Sequence, residues 1–164
     1  MQLYLVQHGA AKSEAEDPQR SLTAEGTKTV ERMAQYLSQV TLHIDRIEHS
    51  DKQRARQTAE IMAVHLHPAE SARQVVGMAP NDDVSPMREQ LQNESKSLMI
   101  VGHLPYLSRL VSALLGVQQD RTLVAFQMGG VVYLKRNDNG EWHLRWILAP
   151  ELLPERESRQ RNAA

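Results

Sequence analysis

Four times before residue 116 a short apolar run gives way to a segment with helical spacing, and this alternation restricts the chain more than any other feature. The runs are 2–7 (QLYLVQ), Ile44 and Ile47 in a segment ending at His49, 74–78 (QVVGM) and 98–103 (LMIVGH). The first helix begins at Thr23 as N-cap, with Glu25 in its first turn and Val30, Met33, Ala34, Leu37 and Val40 at i, i+3, i+4 spacing. Ser50-x-x-Gln53 has the capping-box pattern and predicts a second helix from there to about Leu66. Pro86 marks the start of a third helix within 82–93. Pro105 stands in the first turn of a fourth, whose face is Leu107, Leu110, Val111, Leu114 and Leu115 and whose stop is Gly116. Beyond it, 122–127 and 130–135 read as strands, and NDNG (137–140) predicts a hairpin into EWHLRWIL. The expected fold is therefore a three-layer α/β/α domain over residues 1–164, with a mostly parallel central sheet, an antiparallel edge hairpin and a polar tail at 155–164.

Composition removes several function classes. Nineteen Lys and Arg balance twenty Asp and Glu, so no bulk charge draws the chain to nucleic acid or an anionic membrane. One Phe, two Trp and four Tyr are too few for a base-stacking platform. No apolar run approaches the ~18 residues of a membrane span, and MQLYLVQ has no basic leader region, so a cytoplasmic protein is expected. Without Cys there is no disulfide, thiolate nucleophile or Cys-ligated metal. His65-x-His67 before Pro68 reads as a solvated pair at a helix end, and no metal or other cofactor is expected. His43, His49 and His143 read as structural, and Met33, Met62 and Met99 as core.

In parallel sheets ligands bind beyond the carboxyl ends of the strands, where helix N-termini also point. Three places fit: His8-Gly9 after the first strand, Ser50 to Arg54 after the second, and Gly102-His103 after the strand at 98–103. Arg54 falls in the first turn of a helix, where a cation is misplaced unless an anion lies nearby. Its fork, two imidazoles and the small residues Gly9 and Gly102 together describe a phosphoryl pocket. A neutral imidazole is a nucleophile at pH 7, and donors around it stabilise the charge spread over the transferring phosphoryl oxygens.

QHG (7–9), RSLTAEG (20–26), SDKQRARQTAE (50–60) and VGHLP (101–105) resemble, in order and approximate spacing, the motifs of the histidine phosphatase superfamily. The length resembles its short bacterial SixA-type phosphohistidine phosphatases, with a phosphoglycerate mutase-like fold. The resemblance implies that His8 attacks phosphorus and is transiently phosphorylated, that Arg54 and His103 hold phosphoryl oxygens, and that Gly9 and Gly102 sit beside the two histidines. Arg20 matches an Arg before the L-T-x-x-G stretch and is expected at the pocket entrance. The implied partner is a phosphohistidine-bearing protein or a small phosphorylated substrate. One position departs: Gln7 stands where the family has a phosphate-binding Arg. A hydrogen bond to a charged group is worth roughly 1.5–3 kcal/mol, so this exchange predicts a loss of about 10- to 100-fold, or an inactive phosphate-binding relative as the alternative. Asp82, Asp83 and Glu89 are the candidates for a general acid.

Overall fold

The computed structural model describes residues 1–118 and 121–154. A six-stranded sheet carries the fold: β1 (Gln2–Gln7), β2 (Arg46–His49), β3 (Arg73–Gln74), β4 (Leu98–Gly102), β5 (Val131–Arg136) and β6 (Trp142–Leu148). Their order is β3-β2-β4-β1-β5-β6. The contacts β3-β2, β2-β4 and β4-β1 are parallel, whereas β1-β5 and β5-β6 are antiparallel. The mostly parallel sheet and the edge hairpin are thus as expected.

Alternation along β1 divides the core. Leu3 and Leu5 join the cluster under α3 (Ser85–Asn93) and α4 (Tyr106–Leu114), while Tyr4 and Val6 join the one under α1 (Ala24–Leu37) and α2 (Gln53–Leu66). Both faces are covered, which explains why β1 and β4 are apolar without interruption. Met33, Met62 and Met99 are fully buried in the second cluster, as their spacing implied.

Thr23 caps α1 by accepting from the Gly26 N–H at 2.9 Å. The helix ends at Leu37 and leaves Val40 exposed, three residues short of the expected end. Ser38 Oγ donates to the Gln35 carbonyl at 2.8 Å, a local bond that competes with helix continuation. Three further expectations are corrected. The strand placed at 74–78 is only Arg73–Gln74, because Gly77 turns the chain away at φ +80° and leaves Val76 exposed. Residues 122–127 form no strand. They run into the turn before β5, both of whose edges are already taken by β1 and β6. Pro105 is the N-cap of α4 instead of a first-turn residue. The tail at 155–164 lies outside the described residues.

At the end of the sheet away from the strand C-termini, Arg46 is buried among three carboxylates. Its Nε lies 2.9 Å from Glu48, and its two terminal nitrogens lie 3.4 Å from Glu70 and 3.1 Å from Glu94. Arg73 adds a second cation at 2.7 Å to the fully buried Glu48. Among the described residues no helix is long and apolar enough to cross a membrane.

Candidate active site

The C-terminal ends of β1, β2 and β4 are neighbours, so the residues that follow them meet although they lie some 40 to 95 positions apart in the chain. Gln7 is paired with Gly102, and the His8 N–H donates to the Gly102 carbonyl at 3.2 Å. The rings of His8 and His103 are 4.9 Å apart between centroids, inclined at 55°. Arg54, in the first turn of α2, donates from Nε to His8 Nε2 at 3.1 Å. His8, Arg54 and His103 therefore share one locality.

The hydrogen bonds of His8 define its tautomer. Nδ1 lies 2.7 Å from the Gly9 carbonyl, an acceptor only, so Nδ1 carries the proton. Nε2 then holds the lone pair, in keeping with its acceptance from Arg54. Burial, with the charges of Arg54 and Arg20 added, pushes the His8 imidazole down to about 4. Burial also dominates at His103, and with His8 and Arg54 nearby it goes down to about 3. Both rings are neutral at pH 7. Arg54 therefore carries the positive charge beside the two rings. The Arg54 guanidinium is itself held below its ordinary range by burial and by Arg20.

The glycines have packing reasons. A Cβ on Gly9 would stand 2.8 Å from Val30 Cγ2 and 3.0 Å from the Gly26 carbonyl, so α1 occupies the space expected for a ligand. The Gly9 N–H is already committed to Thr58 Oγ1 at 3.1 Å. A Cβ on Gly102 would come 3.2 Å from Leu107. Gly26 is more constrained, since its Cβ would fall 2.1 Å from the Ala10 carbonyl oxygen.

Gln7 is 8% exposed, and its buried side-chain amide oxygen has no hydrogen-bond partner among the described residues. Arg20 lies on the exposed loop between β1 and α1, with φ at +52°. Its Nε donates to the Lys12 carbonyl at 3.4 Å, and its charge is felt at both His8 and Arg54. Two of the three candidate acids accept local hydrogen bonds, Asp82 from the Ala79 N–H at 2.8 Å and Asp83 from the N–H and hydroxyl of Ser85, while Glu89 is exposed on α3. None of them is among the charges acting on His8.

The capping role expected for Ser50 is corrected. The N-cap of α2 is Lys52, with no side-chain cap, and Ser50 Oγ lies 2.5 Å from His103 Nε2. The imidazole has taken the hydroxyl that the pattern assigned to the helix. Two supporting residues carried no signal beyond their place in RARQTAE. Thr58 Oγ1 accepts from the Gly9 N–H and donates to the Arg54 carbonyl at 2.8 Å, which ties the His8-Gly9 loop to α2. Gln57 Oε1 accepts from the Leu22 N–H at 2.8 Å and anchors the entrance loop. His65 and His67 end α2 without companions, and among the described residues no group of three or more His, Cys, Asp or Glu could hold a metal ion.

The chain is similar to several known proteins. Residues 3–75 match the family model of the histidine phosphatase superfamily, branch 1. An uncharacterized protein of Picosynechococcus sp. is 36% identical over 122 residues, covering 70% of this chain and 73% of that one. The phosphohistidine phosphatase SixA of Escherichia coli is 29% identical over 155 residues, covering 92% and 94% of the two chains. Among solved structures, the protein histidine phosphatase SixA complexed with tungstate superposes with a TM-score of 0.83 at 28% identity, over 94% of this chain and all of the other.

Proposed function

Because the chain belongs to the histidine phosphatase superfamily, we propose that it removes the phosphoryl group from protein phosphohistidine through a covalent intermediate on His8. The observation that carries this reading is the tautomer of His8, whose Nδ1–H is held by the Gly9 carbonyl and whose Nε2 lone pair meets the Arg54 fork at 3.1 Å.

In the first step His8 Nε2 attacks phosphorus, forming a P–N bond while the bond to the substrate imidazole breaks and its electron pair stays on that nitrogen. With a proton on its second nitrogen, the departing group is neutral imidazole and needs no protein acid. That suits a site in which Asp82 and Asp83 accept local hydrogen bonds, Glu89 is exposed on α3, and none of the three is among the charges acting on His8. Arg54 exchanges its bond to the lone pair for one to a phosphoryl oxygen as negative charge spreads over the equatorial oxygens. The Gly9 carbonyl stabilises the positive charge that develops on the His8 ring. Water then attacks phosphorus, the His8 P–N bond breaks with its electrons returning to Nε2, and inorganic phosphate leaves with the water's protons shared between phosphate and solvent. Gln7 contributes an amide where the family has a guanidinium, so the reaction runs with one positive charge fewer.

Likeness to SixA in sequence and structure supports the substrate class, and the exposed Arg20 beside the site suits a phosphate borne on another protein. Incubation with a phosphohistidine-bearing protein should release inorganic phosphate and yield an acid-labile phosphoenzyme, absent in His8→Ala. Phosphate binding by calorimetry without any phosphoenzyme would select the inactive, phosphate-binding alternative. Turnover of small phosphate esters in preference to phosphohistidine would overturn the substrate assignment.

A further inference from the structure

The phosphatase reading assigns no role to Ser50, yet its side chain is among the most deeply placed polar groups near His8. The residue is 1% exposed, and His103 is 2% exposed. Parallel pairing of β2 with β4 places His49 opposite Val101, and the Ser50 N–H continues that ladder by donating to the Val101 carbonyl at 3.3 Å. The Ser50 side chain is thereby held next to the residue that follows Gly102. The result is the 2.5 Å contact between Ser50 Oγ and His103 Nε2.

The groups around that bond favour donation from the hydroxyl. The Lys52 N–H donates to Ser50 Oγ at a long 3.4 Å, which occupies an acceptor site on the hydroxyl and leaves its proton for the imidazole. A neutral imidazole that accepts at Nε2 must carry its proton on Nδ1. His103 Nδ1 is buried and has no partner in the protein. A buried N–H left unpaired costs about 1–3 kcal/mol, which an anionic oxygen arriving in the site would recover.

We propose that Ser50 is a positioning residue: its hydroxyl donates to His103 Nε2 and locks the Nδ1–H tautomer, so that a neutral His103 enters the reaction as a pre-aimed donor to a phosphoryl oxygen. The proposal rests on the phosphatase reading for the identity of the oxygen, but not for the tautomer. It also accounts for the hydroxyl standing before α2 without capping it. His8 and His103 would then share one protonation pattern for opposite purposes. In His8 the Gly9 carbonyl takes the Nδ1 proton and frees Nε2 for attack, and in His103 a hydroxyl occupies Nε2 and frees Nδ1–H for binding.

The test uses the full chain labelled with 15N-histidine. Nitrogen shifts and long-range proton correlations, assigned to His103 through a His103→Gln control, should report Nδ1 protonated and Nε2 unprotonated in the wild type. Ser50→Ala should turn this into a mixture of tautomers. It should weaken the affinity for inorganic phosphate and slow phosphoenzyme formation by about 10- to 100-fold, the range for one hydrogen bond to a charged group. Ser50→Thr, which keeps a hydroxyl, should restore the wild-type nitrogen pattern and most of the rate. An Nε2–H tautomer in the wild type overturns the proposal, as does a Ser50→Ala protein whose tautomer and phosphate affinity are unchanged. Failure of the wild type to turn over any phosphohistidine overturns the functional reading alone, because tautomer and phosphate affinity are measured without catalysis.

Discussion

Replacing Gln7 by Arg should raise activity while lowering stability, and the two effects come from the same charge. Position 7 closes β1 against Gly102, its carbonyl accepts from the Gly129 N–H at 2.8 Å, and its side-chain oxygen is buried without a partner. The amide is thus not bound to anything that an arginine would have to displace. A guanidinium there would make a charge-assisted bond to the transferring phosphoryl group worth roughly 1.5–3 kcal/mol, or about 10- to 100-fold in phosphoenzyme formation. In the free protein a guanidinium at position 7, next to His8, would add its charge to that of Arg54, which burial and Arg20 already hold below its ordinary range. Two guanidiniums in one partly buried site repel by about 2 kcal/mol, which for a domain of this size lowers Tm by about 4–8 °C. Phosphate or tungstate should reverse that loss, since an oxyanion binding only the folded state stabilises it by mass action. The assays are rapid-quench measurement of phosphoenzyme with a phosphohistidine protein, and thermal melts with and without the oxyanion. A folded Gln7→Arg protein with neither a faster transfer nor a tighter grip on oxyanions would refute the placement of position 7 in the phosphoryl pocket.

Other expectations follow from particular contacts. His8, the proposed nucleophile, loses its lone pair to protonation only near pH 4, so the acid limb of kcat/KM should lie well below 6.5; a limb centred at 6.5 would contradict the burial of His8. Stability should decline in step. Between pH 6.5 and about 5 the unfolded chain binds protons that folded His8 and His103 refuse, so the free energy of unfolding falls as pH drops through that window, before the carboxylates begin to titrate. Urea midpoints that stay flat from pH 7 to 5 would count against both depressed imidazoles. Gly26→Ala places a Cβ 2.1 Å from the Ala10 carbonyl oxygen, and displacing that loop should cost about 2 kcal/mol in urea denaturation and reduce activity, since Ala10 follows His8-Gly9. Glu48→Gln removes the charge shared by Arg46 and Arg73, and about 3 kcal/mol, or 6–12 °C in Tm, should be lost with transfer activity at the other end of the sheet intact; a drop under 2 °C would show the pair to be expendable.

Periodicity and punctuation in the chain by themselves determined the layer order, the parallel sheet and the edge hairpin, because burial on two faces imposes uninterrupted apolar strands and a 3.6-residue stripe on each covering helix. They also determined which residues stand at the strand ends, and His8, Arg54 and His103 prove to share one locality. Segments whose local signal depended on a competing partner were not legible in the same way. Residues 122–127 have strand composition but lead into β5, both of whose edges are taken by β1 and β6, and Gly77 cuts β3 to two residues. Ser50 reads as a helix cap until β4 brings His103 within reach of its hydroxyl. The tautomer of His8, the local hydrogen bonds that engage Asp82 and Asp83, and the packing duty of Gly9 were likewise decided only by the tertiary structure. Each depends on groups that are remote in sequence and become neighbours only when β1, β2 and β4 lie side by side.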